Sequence, residues 1–192
     1  RIPRWCNDAK VIVNGNVVNV NATPSSYIRL ENKWKQGDVV ELTLPMHLSL
    51  RLWTENKNSV SLNYGPLTFS LKIKEYYQKI NSEESAISDS KWQPNVDEAK
   101  WPAYNIYPAS MWNYGLELDG KPLSEQFEIV KKPWPESNFP FDQKEVPIMI
   151  KAIGKLIPEW TLDKYGLCGL LPQSPVDVHT NEETIELIPM GA

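Results

Sequence analysis

Hydrophobic and polar residues alternate along the chain as far as Ile73, with turn residues between the runs. This period of two is typical of half-buried β-strands. The dipeptide Asn14-Gly15 separates the first two runs, and it tolerates the positive φ angles of a two-residue hairpin turn. The strands predicted in this part are 10–13, 16–20, 27–31, 39–44, 48–53, 60–64 and 67–73. Short strands at this spacing predict an antiparallel sandwich.

The strand 48–53 has an unusual outward face. If its three leucines point to the core, Ser49, Arg51 and Trp53 lie on the opposite side. Trp and Arg are typical anchors of protein interfaces, so Arg51, Trp53 and the early Trp5 are candidates for a domain interface. We predict that Trp53 is substantially exposed in this chain; the alternative is that a loop of the same sandwich covers it.

The hydrophobic periodicity stops in a polar stretch at 78–100 and resumes beyond it. Later strands are predicted at 104–107, 114–118, 127–131, 146–153 and 184–188, and Asp119-Gly120 is a further hairpin-type turn signal. The predicted fold is therefore all-β, with two antiparallel β-sandwich-type units, 1–77 and 101–192, joined by a polar linker at 78–100.

The charge of the chain excludes two classes of partner. The 192 residues carry a formal net charge of −4, so there is no surplus of Lys and Arg for nucleic acid or an anionic membrane. Polar residues or Pro interrupt every apolar run before it reaches the length of a membrane span. Because the sequence opens at Arg1 without an initiator Met, we expect it to be a piece of a longer protein.

The sequence contains no motif that would support catalysis by itself. Neither His47 nor His179 has the accompanying residues of a Ser-His-Asp triad, and the glycines form no phosphate-binding loop. Cys6 and Cys168 lack metal-ligand spacing, and the simplest interpretation is that both are small buried hydrophobic residues. Whether the two form a disulfide stays open. We expect no catalytic residue, metal or cofactor in this chain.

Glycoside hydrolysis usually needs two facing carboxyl groups. The acidic residues nearest to aromatic residues in sequence are Asp97, Glu98, Asp142, Glu145, Glu159 and Asp163. With 24 acidic residues in the chain, some will always lie near one another, so solvated surface charge is the simpler interpretation.

Tryptophan is in excess, with eight residues. An exposed Trp ring can stack on the apolar face of a sugar, and Trp112, Trp134 and Trp160 are the candidates for such binding. The alternative is that these rings fill cores or domain contacts.

Several short motifs stand in an order that resembles one family. They are Arg1-Ile2-Pro3 with Trp5, Val13-Asn14-Gly15, Tyr27-Ile28, Trp34, Gly37-Asp38, the run from Val40 to Met46, and Tyr64-Gly65-Pro66-Leu67. Together they resemble the region downstream of the catalytic barrel in β-L-arabinofuranosidase-like glycoside hydrolases, family 127 and its relatives. The second half resembles the C-terminal part of some members through Asn113-Tyr114-Gly115-Leu116 and the loop around Trp134.

The resemblance implies a parent enzyme whose helical barrel cleaves arabinofuranosides or related sugars, using a thiolate nucleophile and a zinc site within that barrel. It also favours a periplasmic or secreted location. No catalytic residue of the family falls on a matching position here. We therefore expect a non-catalytic accessory region whose partner is the barrel of the same chain; the alternative is a carbohydrate-binding module that uses exposed aromatics.

Overall fold

The computed structural model describes residues 1–80, 97 and 99–192, and this part of the chain is almost entirely β. Its strands are β1 Lys10–Val13, β2 Asn16–Val18, β3 Val40–Thr43, β4 Leu48–Trp53, β5 Ser59–Tyr64, β6 Leu67–Leu71, β7 Glu75–Ile80, β8 Ala103–Pro108, β9 Tyr114–Leu116, β10 Glu128–Lys131, β11 Ile148–Leu156 and β12 Glu183–Pro189. A short helix, α1 Leu123–Gln126, precedes β10. The antiparallel sheets stack in a sandwich-like arrangement, so the predicted all-β, antiparallel sandwich-type class is confirmed.

The hairpin predicted at Asn14-Gly15 is present. Both residues have positive φ, 49° and 80°, and β1 and β2 pair on either side of them. A three-stranded sheet of order β2-β1-β3 results. The prediction of a strand at 27–31 is wrong. The residues just before this stretch pair instead with the N-terminal segment: Ile2 N–H donates to the Ser26 carbonyl, and Ser25 N–H donates to the Ile2 carbonyl.

A seven-stranded sheet forms the rest of the main body, in the order β10-β11-β12-β6-β5-β4, with β9 also pairing with β11. One of its faces carries the main core, in which Leu62 of β5 and Ile150 of β11 are 1% and 0% exposed. Leu123 of α1 packs against this core, and α1 also contacts β4 at the far end of the sheet. The sheet therefore curls around its own core.

Strands from both sides of the predicted linker share this sheet. Leu71 of β6 lies opposite Leu187 of β12, and the Lys72 amide continues the pairing to the Glu186 carbonyl at 2.9 Å. The sequence predicts two separate units, whereas this sheet contains strands from both. Hydrophobic periodicity indicates where each strand lies, but it does not indicate which strand pairs with it. The start of the expected linker, 78–80, lies in β7, and most of its remainder falls outside the described residues. The domain bounds themselves, 1–77 and 101–192, stay a prediction.

Two local expectations were also wrong. Leu52 is 58% exposed rather than in the core, because β4 is an edge strand and the core reaches only Leu48 and Leu50. The turn at Asp119-Gly120 does not make a hairpin: it leads into α1, and β9 pairs with β11 rather than with β10.

Candidate functional site

A two-stranded ribbon of β7 and β8 forms a sheet of its own, after β6 in the chain. Its register places Tyr76 opposite Tyr107, and Tyr77 opposite Ile106. Because neighbouring residues of a strand face opposite ways, Tyr76 and Tyr77 lie on different faces of the ribbon. Both are more than half exposed, at 59% and 52%. The ribbon therefore presents aromatic rings on both of its faces.

A long loop between β10 and β11, residues 132–147, rises beside this ribbon. Its base is closed by a hydrogen bond from Lys132 N–H to the Pro147 carbonyl at 2.7 Å. Val146 is 1% exposed and packs with Met149 and Ile188 on the second face of the seven-stranded sheet. The loop is thus anchored at its base.

Further bonds shape the tip of the loop. Asn138 takes a positive φ of 55°, and its side chain accepts a bond from Trp134 Nε1 at 2.8 Å. Phe139 and Phe141 pack edge to face, with ring centroids 5.6 Å apart. All three aromatic side chains are exposed.

A cleft of about 750 Å³ lies between the ribbon and this loop. This volume falls within the range usual for small-molecule sites. The side chains that give the cleft its chemistry are Lys72, Lys74, Glu75, Tyr77, Phe141, Asp142, Gln143 and Lys144.

Hydrogen bonds from both walls fix the carboxylate of Glu75. Tyr77 Oη donates to Glu75 Oε2 at 2.7 Å from the same strand, and Gln143 Nε2 donates to Glu75 Oε1 at 2.9 Å from the loop. The bond to Glu75 raises the pKa of Tyr77, with smaller contributions from desolvation and from the charges of Glu75 and Asp142. Tyr77 is therefore held as a neutral donor, and Glu75 links the two walls.

The acidic candidates from the sequence serve local structure. Asp142 Oδ1 accepts from Lys144 N–H, and Asp163 Oδ1 accepts from Tyr165 and Leu167 N–H. Asp97 Oδ1 accepts from Ala99 N–H, and Glu145 accepts from the Ser137 hydroxyl. The Asp bonds to backbone N–H groups cap turns, whereas the Glu145 bond joins two side chains of the 132–147 loop.

Two acidic candidates remain. Glu159 is exposed beside a separate groove, and Glu98 lies outside the described residues. Of the five acidic candidates that the structure describes, only Asp142 lines the cleft.

The two histidines and two cysteines do not form a metal-binding group. His47 Nε2 lies 3.0 Å from Asp8 Oδ2, and His179 is exposed. Cys6 and Cys168 are both free; Cys6 is buried as expected, but Cys168 is exposed, so the expectation of a buried side chain is wrong for it. Among the described residues no group of three His, Cys, Asp or Glu side chains is placed to hold a metal.

Two of the predicted sugar-binding tryptophans meet each other. Trp112 and Trp160 pack edge to face at 5.1 Å, both half-buried, and Trp160 Nε1 donates to the Gly169 carbonyl at 3.1 Å. The third candidate, Trp134, stands in the loop beside the cleft and is 61% exposed. A sugar-binding role for the three stays a prediction.

The predicted interface residues Arg51 and Trp53 are adjacent on the outer face of β4. The Arg51 guanidinium carbon lies 3.6 Å from the centre of the Trp53 ring, and Trp53 Nε1 donates to Ser61 Oγ at 3.1 Å. Trp53 is 40% exposed, as expected. Trp5 is half-buried in the N-terminal segment. Their role at an interface stays a prediction.

The sequence did not single out Tyr77, Glu75 or Phe141 as site residues. Phe141 was visible only as part of a stiff loop rich in proline and aromatics. The one available signal was Glu75-Tyr76-Tyr77, an acidic and aromatic run directly before the polar stretch.

The described part of the chain is therefore an almost entirely β fold with exposed aromatic rings beside a polar cleft. The sequence profile of the β-L-arabinofuranosidase GH127 middle domain matches residues 1–46. The resemblance expected from the sequence is thereby confirmed: the chain contains a GH127-related region.

Two solved structures are similar to nearly the whole chain. One, described as a glycoside hydrolase, shares 21% identity with a TM-score of 0.45, covering 98% of this chain and 24% of that one. The other, a GH127 β-L-arabinofuranosidase from Geobacillus stearothermophilus T6, shares 22% identity with a TM-score of 0.48, covering 98% of this chain and 23% of that one. The chain thus spans about a quarter of the length of these proteins. No curated protein matches. None of the helices in the described part of the chain is long and apolar enough to cross a membrane.

Proposed function

We propose that the chain is a non-catalytic accessory region of a glycoside hydrolase of the β-L-arabinofuranosidase type, and that it braces the helical catalytic barrel of that enzyme. The observation that carries the proposal is the match of residues 1–46 to the GH127 middle domain. The bonding of the acidic side chains supports a non-catalytic role, because Asp142 and Asp163 cap turns and Glu145 bonds to the Ser137 hydroxyl.

The outer face of β4 supports the bracing role. Arg51 and Trp53 offer a large flat surface with a polar edge on an edge strand, which is the chemistry that interface cores favour. Val40 and Leu42 of β3 are also 47% and 46% exposed, and burial of these apolar side chains under a partner would be favourable.

A hydrolysis assay tests the non-catalytic part. The purified chain is expected to leave 4-nitrophenyl β-L-arabinofuranoside intact. Hydrolysis that disappears in Glu75→Gln or Asp142→Asn would overturn this part of the proposal, because those carboxyls line the cleft.

The bracing part is tested through the coding sequence and a binding measurement. Reading upstream of Arg1 should reveal a helical-barrel region in the same frame, and a stop codon immediately upstream would contradict this. The barrel, supplied as a separate polypeptide, should bind the chain, and Trp53→Ala should weaken binding at least about ten-fold. Tyr76→Ala, at a position 59% exposed on the separate β7–β8 sheet, is the control and should bind as the unmodified chain does.

A second candidate function is carbohydrate binding. It is favoured by the exposed aromatic side chains of the 132–147 loop and by the cleft that this loop forms with the ribbon.

A further inference from the structure

We propose that the cleft between the β7–β8 ribbon and the 132–147 loop binds a neutral saccharide, with Tyr77 and Phe141 as its stacking surfaces. The inference rests on the second candidate function, carbohydrate binding, and gives it a ligand class and stacking residues. It does not depend on the bracing role, because the cleft and the Arg51–Trp53 surface share no residues.

The aromatic side chains provide the apolar part of the site. Tyr77 and Phe141 line the cleft from the ribbon and from the loop, and they are 52% and 65% exposed. Exposed rings in a concave site favour a ligand with a flat apolar face, and the C–H face of a sugar ring is such a surface. The opposite ribbon face, with Tyr76, does not line the cleft.

The polar groups that line the cleft suit hydroxyl ligands. Glu75 and Asp142 bring carboxylate acceptors, Gln143 brings an amide, and Lys74 and Lys144 bring ammonium donors. A sugar ring carries hydroxyls around its edge that both donate and accept, so it can bond to both kinds of group.

The charges in the cleft argue for a neutral sugar. Lys72 is paired with Glu186, with 3.0 Å between Nζ and Oε2. The side chains left are two cations, Lys74 and Lys144, and two anions, Glu75 and Asp142. With the side-chain charges balanced, neither an acidic nor a basic ligand gains a net attraction.

The site is largely organised before a ligand arrives. The bond from Gln143 Nε2 to Glu75 Oε1 ties the loop to the ribbon, and buried Val146 anchors the loop to the sheet. Binding to fixed walls loses less conformational entropy than binding to walls that must be ordered.

The test is affinity electrophoresis of the whole chain in gels that contain arabinan, arabinoxylan, β-glucan, galactomannan or polygalacturonate, followed by calorimetry on any that retards it. At least one neutral polysaccharide should retard the chain. Tyr77→Ala and Phe141→Ala should each weaken that binding about ten-fold or more, through loss of a stacking ring. Tyr76→Ala, on the other face of the same strand, is the matched control and should bind as the unmodified chain does.

Three results would overturn the inference. One is failure of every neutral polysaccharide to retard the chain, and another is retardation by polygalacturonate alone. The third is an equal loss of binding in the Tyr76 and Tyr77 variants, which would move the site off the cleft. Circular dichroism and urea unfolding verify that each variant is folded. None of these results concerns binding of the barrel, so the bracing proposal is tested separately.

Discussion

Replacing Leu62 by Ala should destabilise strands on both sides of the polar stretch between β7 and β8. Leu62 lies on β5 and is 1% exposed, in the same core cluster as Ile150 of β11 and Phe127 next to β10. Truncating a fully buried Leu costs about 2–5 kcal/mol, through lost transfer energy and the cavity left behind. A loss of about 3 kcal/mol in stability makes the equilibrium constant for opening roughly 100-fold larger.

Native-state hydrogen exchange read by mass spectrometry measures this effect by region. Amides of β11 should lose about as much protection as those of β5, because the two strands open together. Val17→Ala is the control, since Val17 is 76% exposed on β2. Protection of β11 that stays unchanged while β4, β5 and β6 open more readily would refute the shared core and favour two independent units.

Three further outcomes are expected. The Glu183 carboxylate raises the pKa of Tyr114 to about 12 from 10.0, so the bond from Tyr114 Oη stabilises the fold below pH 10 and is lost as the pH rises towards 12. In urea unfolding at pH 8, the free energy of unfolding of Tyr114→Phe should be lower by roughly 1 kcal/mol, a small value because partial exposure screens the bond. Near pH 12 the two proteins should be equally stable. A difference in stability that stays constant with pH would contradict this. Gly65→Ala should cost about 1–3 kcal/mol, because φ is 56° and its Cβ would lie 2.5 Å from Met46 Cγ. Gly120→Ala, with φ of 79° but nothing within 4 Å, should cost less, and equal thermal shifts would contradict the clash. Limited proteolysis should cut first between β7 and β8, in the polar sequence, and early cutting inside β5 would contradict this.

The parts of the fold that could be predicted are those set by neighbouring residues. The hairpin at Asn14-Gly15 depends on two residues that accept positive φ, and both adopt it. β4, β5 and β6 follow from apolar residues at every second position. Pairing of β6 with β12 could not be predicted, because the two strands are distant in sequence and periodicity carries no information about which strand is the neighbour.

The same limit applies to the cleft. Tyr77 and Phe141 reach one cleft from separate elements, one on β7 and the other in the loop after β10. The bond from Gln143 Nε2 to Glu75 Oε1 joins loop and ribbon across 68 positions of sequence. The run Glu75-Tyr76-Tyr77 could have drawn attention to the ribbon, but no local pattern indicates that Phe141 lies beside it.

The two surfaces of the chain suit different partners. The Arg51 guanidinium stacks on the Trp53 ring, and so occupies a face that a sugar would otherwise use. A stacked guanidinium keeps its outward N–H donors, which match carboxylates on a protein surface. Tyr77 and Phe141 leave ring surface open to a cleft whose side-chain charges balance. The proposed barrel contact and the proposed sugar site therefore use separate surfaces, and the two ligands would not compete.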